Sequence, residues 1–513
     1  MARPWLRLLD PDLFAFRASL GPDAASRLRY AKALNSRSLH IEAAEVLDGI
    51  LAEERSHGEA WFERILCEGD HTTAEDLQRL SIELEAVRDE HPGEAVHLRN
   101  LAFLRIIENR LDEAESLIDK ALAKDDQDAK TFELTGLLSL HRDHPEAAKG
   151  ALLKALSLQP KNSVTLRMLG IVCQQMGDQH PAEAQVLAAL ELDPNYYWGW
   201  HTLGEFLLHR GESQEGMRCI HRARSLNITE PSSYFLVAEI FGDQGQLDMA
   251  QAELHKLILL APPASTFSEA QSLLGEFKRD LGDRDGAISY FTMAADTDPQ
   301  AANPWAALGE MAREDERWED ALRCYQEALA RDPEAAELQV QLGYTLLETG
   351  SVKEAEHTFC KALESDPSEY SAYLGLSECA RKAHRPKDQL RMVKEAMALA
   401  PDDPDVWNAY AVALEVSHRL AESTEAYNKA LSLDPHHRKA ANNLGFLLEK
   451  RMSQGEDGLK DQVINAWKRR LLICRDEGQS MRMATEHLSK LGIADETLEA
   501  WISKGEVPTS IES

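Results

Sequence analysis

Few side chains in this 513-residue sequence stand at spacings that support covalent or metal chemistry. His141 and His144 are three apart and His436 adjoins His437, but neither pair has further ligands at metal-binding spacing. Seven cysteines are scattered with no C-x-x-C pair, and an odd number without clustering points to free thiols in a reducing compartment. There is no glycine-rich phosphate loop, no G-x-S-x-G and no H-E-x-x-H. The sequence therefore predicts no enzyme, no cofactor and no bound metal. What remains is charge chemistry. The chain carries 87 acidic and 56 basic residues, a net charge of −31, which repels nucleic acid and anionic membrane surfaces and favours basic partners. One basic cluster (Lys468, Arg469, Arg470 and Arg475, with Lys504 further on) has the charge that phosphate contacts need.

The elements that must position these groups are short amphipathic helices. In Trp305 to Pro333, Trp305, Leu308, Gly309 and Ala312 recur at i, i+3, i+4 and i+7, one face of a first helix. Ala321, Tyr325 and Ala328 make the face of a second, and Asp332-Pro333 ends it, because proline lacks a backbone N–H and clashes with the preceding turn. The stop position repeats as Pro92, Asp126, Pro160, Pro194, Ile228 and Pro262, each 34 apart. After one interval of 37 it continues at Pro299, Pro333, Pro367, Pro401 and Pro435. Five places earlier stands a small residue: Ala121, Ala155, Ala189, Ala223, Ala294, Ala328, Ala362, Ala396 and Ala430.

The pattern W-x-x-L-G, then A-x-x-x-Y-x-x-A, then Pro resembles the tetratricopeptide repeat, a helix–turn–helix unit of about 34 residues. That resemblance implies an all-α solenoid, a right-handed superhelix of stacked antiparallel helix pairs in which each repeat buries its faces only against its neighbours. The expected organisation is a capping segment over 1–23 and an N-terminal block over 24–264, with two degenerate repeats followed by five regular ones. A C-terminal block over 265–437, an extended last repeat over 438–475 and a helical hairpin with its tail over 476–513 complete it. The Pro262–Thr266 stretch, which carries the extra residues, is the expected hinge.

In this family the concave face is lined by the second, fifth, sixth, ninth, twelfth and thirteenth positions of each first helix. The ninth position holds Glu205, Glu239, Glu276, Glu310, Tyr344 and Glu378 in six successive repeats. The resemblance thus implies a ladder of carboxylates suited to a Lys/Arg-rich or extended partner segment. Glu276–Arg279, Glu310–Arg313 and Glu378–Arg381 are also i, i+3 pairs, worth only a few tenths of a kcal/mol each, which leaves Glu205 and Glu239 as the stronger candidates. Trp198, at the second position of its repeat, is a candidate aromatic anchor. The carboxylate clamp of the cochaperone members is not matched: Asn443 fits one element, but the partnering Lys and Arg are missing. The asparagine ladder of the glycosyltransferase-type arrays is also missing, since the sixth position holds Leu134, Met168, Thr202, Leu236, Leu273 and Ala307.

Near the C-terminus, Leu488, Leu491-Gly492-Ile493, Thr497-Leu498, Trp501-Ile502 and Gly505 resemble the helix-turn-helix of excisionase- and MerR-like DNA-binding domains. The would-be recognition helix carries acids where phosphate contacts need Lys or Arg, so a capping hairpin is the stronger expectation. No segment has the apolar length of a transmembrane helix, and Asp10, Pro11 and Asp12 cut short the apolar run of a signal peptide. Asn227-Ile228-Thr229 is a lone glycosylation sequon. Together these features predict a cytoplasmic, non-enzymatic scaffold or adaptor that holds a partner protein. The two alternatives are a regulator contacting DNA through its C-terminal helices and an accessory subunit of an enzyme.

Overall fold

The structure, a computed structural model, describes residues 11–68 and 74–504. Among these residues it is all-α, with twenty-nine helices and no strand. Trp5, Leu8 and Leu9 of the expected cap lie outside the described residues, whereas Leu13, on helix Pro11–Ser19, is fully buried. The chain divides into two compact units, one ending at Ala287 and the other beginning at Ile288. The extra residues of the 37-residue interval are taken up in helix Ala264–Asp280, which runs to 17 residues.

Consecutive helices pack as pairs in both units. In the C-terminal unit, Trp318–Arg331 packs on Asn303–Glu314 through Ala321, Tyr325 and Ala328, all essentially inaccessible to solvent. Gly309 is what allows the approach, since a Cβ there would sit 2.9 Å from the Tyr325 ring. The small residue near the end of each second helix is buried in every repeat where the sequence places it, from Ala121 to Ala430. Its carbonyl also accepts the N–H of the residue that caps the helix, as from Asp125 to Ala121 at 2.9 Å and from Asp332 to Ala328 at 3.0 Å. Crossing point and helix stop are therefore one device, which is why a 34-residue sequence period becomes a 34-residue structural period.

A second marker sits between the two helices of each pair. Asn109, Asp143, Gly177, Gly211, Gly245, Gly282, Glu316, Gly350, His384 and His418 all have positive φ, between 56° and 85°. This left-handed residue ends the first helix and turns the chain into the second. Glycine adopts it without strain, and the other residues adopt it at a cost. Ser38 occupies the same place in the first repeat, with φ of 58°.

The C-terminal unit is closed by helices Arg482–Lys490 and Asp495–Lys504, whose Leu488 and Leu498 are buried in the cluster around Trp467. Trp467 donates its indole N–H to Glu449 at 3.0 Å, and the His487 ring stacks on it with centroids 4.1 Å apart.

Candidate concave binding face of the N-terminal unit

Helices Ala129–His141, Ser163–Gln175 and Tyr197–His209 are the first helices of three successive repeats. Their second, fifth, sixth and ninth positions share one face because they lie at i, i+3, i+4 and i+7. That face lines a cavity of about 1180 Å³ inside the N-terminal unit. Leu134, Leu137, Met168, Ile171 and Trp198 give it apolar walls, joined from the first repeats by Phe62 and Phe103, whose rings stack with centroids 5.2 Å apart. Trp198 is half-buried and meets Tyr197 and His201 edge-on at 5.2 and 5.3 Å.

The polar groups of the chamber divide into satisfied and unsatisfied charges. Lys130 lies 4.1 Å above the Phe62 ring and 2.8 Å from Glu59, and Arg99 reaches the other oxygen of Glu59 at 3.2 Å. Burial alone would raise the Glu59 carboxyl, but Lys130, Arg99 and Lys32 outweigh it and hold it at about 2. Glu133, by contrast, is buried with only neutral donors on it, the Thr165 hydroxyl and the Asn162 amide, and burial raises its pKa. Arg167 donates to the hydroxyls of Tyr196 at 2.9 Å and Thr202 at 3.4 Å and has no carboxylate partner among the described residues.

Of the ninth-position set, Glu205 and Glu239 sit in the N-terminal unit with no ion pair or hydrogen bond among the described residues, and burial raises both carboxyls. Each also raises or feels a neighbouring acid, Glu239 acting on Glu205 and Asp243 on Glu239. Glu276 and Glu310 are both engaged in interactions of their own. Glu378 is held by Arg381 at 2.7 Å. Tyr344 points into the stack, not into a groove: it donates to the Ser371 carbonyl at 3.1 Å and packs edge-on against Phe359. The members of the ladder thus fall in two units with different surroundings, and of the six only Glu205 and Glu239 have neither an ion pair nor a hydrogen bond among the described residues, although Arg167 and His209 act on Glu205 through space.

The basic cluster is corrected by burial. Arg469 is only 5% exposed, so it presents no charge to a phosphate. Lys468 lies 4.8 Å above the Trp501 ring, Arg470 bonds to the Cys474 sulfur, and Arg475 donates to the Ile502 carbonyl at 3.1 Å. Lys468 and Arg475 face the C-terminal hairpin because their helix, Lys460–Asp476, is the surface on which the hairpin packs. The Lys504 side chain lies outside the described residues.

Lys130, Glu133 and Arg167 are missed when only the sixth and ninth positions are read along the array; the second and fifth would have found them. All seven cysteines are free thiols. Among the described residues no group of three or more His, Cys, Asp or Glu side chains could hold a metal ion, and no helix is long and apolar enough to cross a membrane.

Two sequence models of the tetratricopeptide repeat match the chain, one over residues 306–370 and one over 186–217. Both matches fall within the recurring helix pairs, so the chain carries tetratricopeptide repeats, and these support a protein-interaction scaffold role. No curated protein matches the sequence. Among solved structures, the APC/C hetero-tetramer Cut9-Hcn1 superposes with a TM-score of 0.41 at 13% identity, over 95% of this chain and 99% of that one. Yeast Tom70 does so with a TM-score of 0.39 at 15% identity, over 81% of this chain and 100% of that one.

Proposed function

We propose that the protein is a non-enzymatic scaffold whose N-terminal concave face holds an extended segment of a partner protein, with a basic side chain set among apolar ones. The observation that carries this reading is the pair Glu205 and Glu239. Each is disfavoured as an anion by burial and has no bonded cation among the described residues, Arg167 and His209 acting on Glu205 and His209 on Glu239 only through space, so a Lys or Arg from outside would gain a charge-assisted bond and relieve the burial cost together. The apolar walls around Trp198 supply the contact area that charge alone does not. A reducing compartment such as the cytoplasm suits seven free thiols.

The test is affinity purification of the tagged protein from its own cells at low and raised salt. Glu205→Gln with Glu239→Gln should weaken capture of the partner by about 10-fold or more, the worth of one hydrogen bond to a charged group. Capture unchanged by both substitutions would refute the acidic site.

A further inference from the structure

The N-terminal unit closes on itself. The turn joining helices Ala24–Asn35 and His40–Glu53 lies against residues far along the chain. The Tyr197 N–H donates to the Ser36 carbonyl at 2.7 Å. The Asn227 side-chain amide donates to the Ser38 carbonyl at 3.1 Å, across 189 residues of sequence. The Ser38 hydroxyl donates to Glu230 at 2.7 Å, across 192 residues, and the other Glu230 oxygen accepts from Ser232 at 2.8 Å. Ser38, Asn227 and Tyr197 are all buried in this seam. His40, Glu230 and Ser232 also line the 1180 Å³ chamber, so the seam is one of its walls.

Two residues at the seam have the side-chain chemistry that it needs. Asn227 caps its helix where five other repeats have Asp125, Asp193, Asp332, Asp366 and Asp434. A carboxylate there could not donate to the Ser38 carbonyl, and an amide can. Ser38 holds a left-handed turn position that glycine fills at Gly177, Gly211 and Gly245, and its hydroxyl is the group that reaches Glu230. The buried apolar cluster that contains Leu39 is distinct from the one that contains Tyr196. The contact is made by hydrogen bonds between two separate apolar clusters and not by a core shared across it.

We propose that this seam is a gate on the N-terminal chamber: closed, it encloses whatever lies on the concave face, and parted, it admits an extended polypeptide from the side. The proposal rests on reading the concave face as the binding surface, but its test needs no partner. The same contact keeps Asn227 away from modification at its sequon, since its amide is buried and engaged.

The chamber carries its own probe. Cys67 is part of its wall, half-buried, with its thiol bonded to Asn35 at 3.3 Å beside the seam turn. The full-length protein is labelled with a bulky polyethylene glycol maleimide and, separately, with iodoacetamide, and Cys67 is followed by mass spectrometry. Asn227→Asp and Ser38→Gly each remove a seam bond, and each should speed bulky labelling of Cys67 about tenfold while iodoacetamide labelling changes much less. Equal bulky labelling in wild type and both folded variants overturns the gate. A measurement on the wild type stands in if the variants do not fold. Tyr197 is the first residue of its helix, so its amide has no intrahelical acceptor and is protected by Ser36 alone. Its hydrogen exchange should outpace that of Leu203 in the same helix through opening of the seam. Exchange of Tyr197 as slow as that of Leu203 means that the seam parts only on global unfolding and also overturns the proposal.

Discussion

Replacing either of two helical glycines by alanine should shift stability in opposite directions, and the structure sets both signs. Gly150 lies inside helix Pro145–Leu158, exposed, and a Cβ built on it meets nothing within 4 Å. Gly150→Ala should therefore give the bare helix-propensity gain, about 1 kcal/mol. Gly375 lies inside helix Tyr370–Lys382, where a Cβ would stand 2.2 Å from Cζ and 2.3 Å from Cε1 of Phe359. That ring cannot retreat: Gly343 approaches it from the other side, where a Cβ would be 2.6 Å away, Tyr344 meets it edge-on at 5.2 Å, and it is fully buried. Overpacking costs about 1–3 kcal/mol, and a boxed-in ring puts this site at the upper end. Less the ~1 kcal/mol propensity gain, Gly375→Ala should lose about 2 kcal/mol. An array of repeats need not unfold as one two-state unit, so hydrogen exchange in urea should be read separately over the two helices. In a Phe359→Leu background the penalty at Gly375 should vanish, so the double variant loses less than the sum of the two single losses. If Gly375→Ala stabilises the protein as Gly150→Ala does, close helix approach is not what the glycine serves and the packing argument fails.

Three further outcomes follow from charge and backbone. Burial raises the Glu205 and Glu239 carboxyls, so the folded state holds protons that the unfolded state has lost, and stability falls as pH rises through the carboxylate range. Glu205→Gln or Glu239→Gln should accordingly raise the Tm of the N-terminal unit at pH 7 and leave it nearly unchanged near pH 4; a loss at pH 7 would contradict the assignment. The His201 imidazole is pushed down to about 4 by burial, so its contribution is present above 6.5 and is lost as pH falls from 6.5 towards 4. His201→Gln should flatten the acid limb of the stability profile over that window. Glu316 stands at the left-handed turn position with φ of 57°, and Glu316→Gly should relieve about 1–2 kcal/mol of backbone strain, less about 0.4–1 kcal/mol of unfolded-state entropy. Urea denaturation should show a net gain for Glu316→Gly, and a loss for Gly177→Ala, where a Cβ has open space and only φ opposes it.

The repeat was legible in the sequence because its physics is local. Ala328 is small where two helices cross, Pro333 stops a helix, and Trp305, Leu308 and Ala312 share a face; each rule acts within one repeat or between neighbours. The left-handed turn was found in the structure and not in the sequence pattern, because Gly177, Gly211, Gly245 and Gly282 mark it in some repeats while Glu316 and His384 stand there in others. That the second, fifth, sixth and ninth positions, Trp198 among them, share a side follows from helical periodicity, whereas that this side is the concave one is what the resemblance to the repeat family implies. Three further things depended on the tertiary structure. Arg469 and Tyr344 read as surface groups in the sequence, and only the packing of the next helices on them decides otherwise. Spacing already gives Glu378 its Arg381 and denies Glu205 and Glu239 such a neighbour, but that no distant described residue supplies them a bonded cation instead is settled only by the fold. The seam of Ser36 and Ser38 with Tyr197, Asn227 and Glu230 belongs to no local pattern. A solenoid turns by a small rotation at every repeat, and which distant repeats meet depends on the sum of those rotations. Nearest-neighbour chemistry sets each step, but the meeting of the first repeat with residues 189 and 192 places away is a property of the accumulated curve.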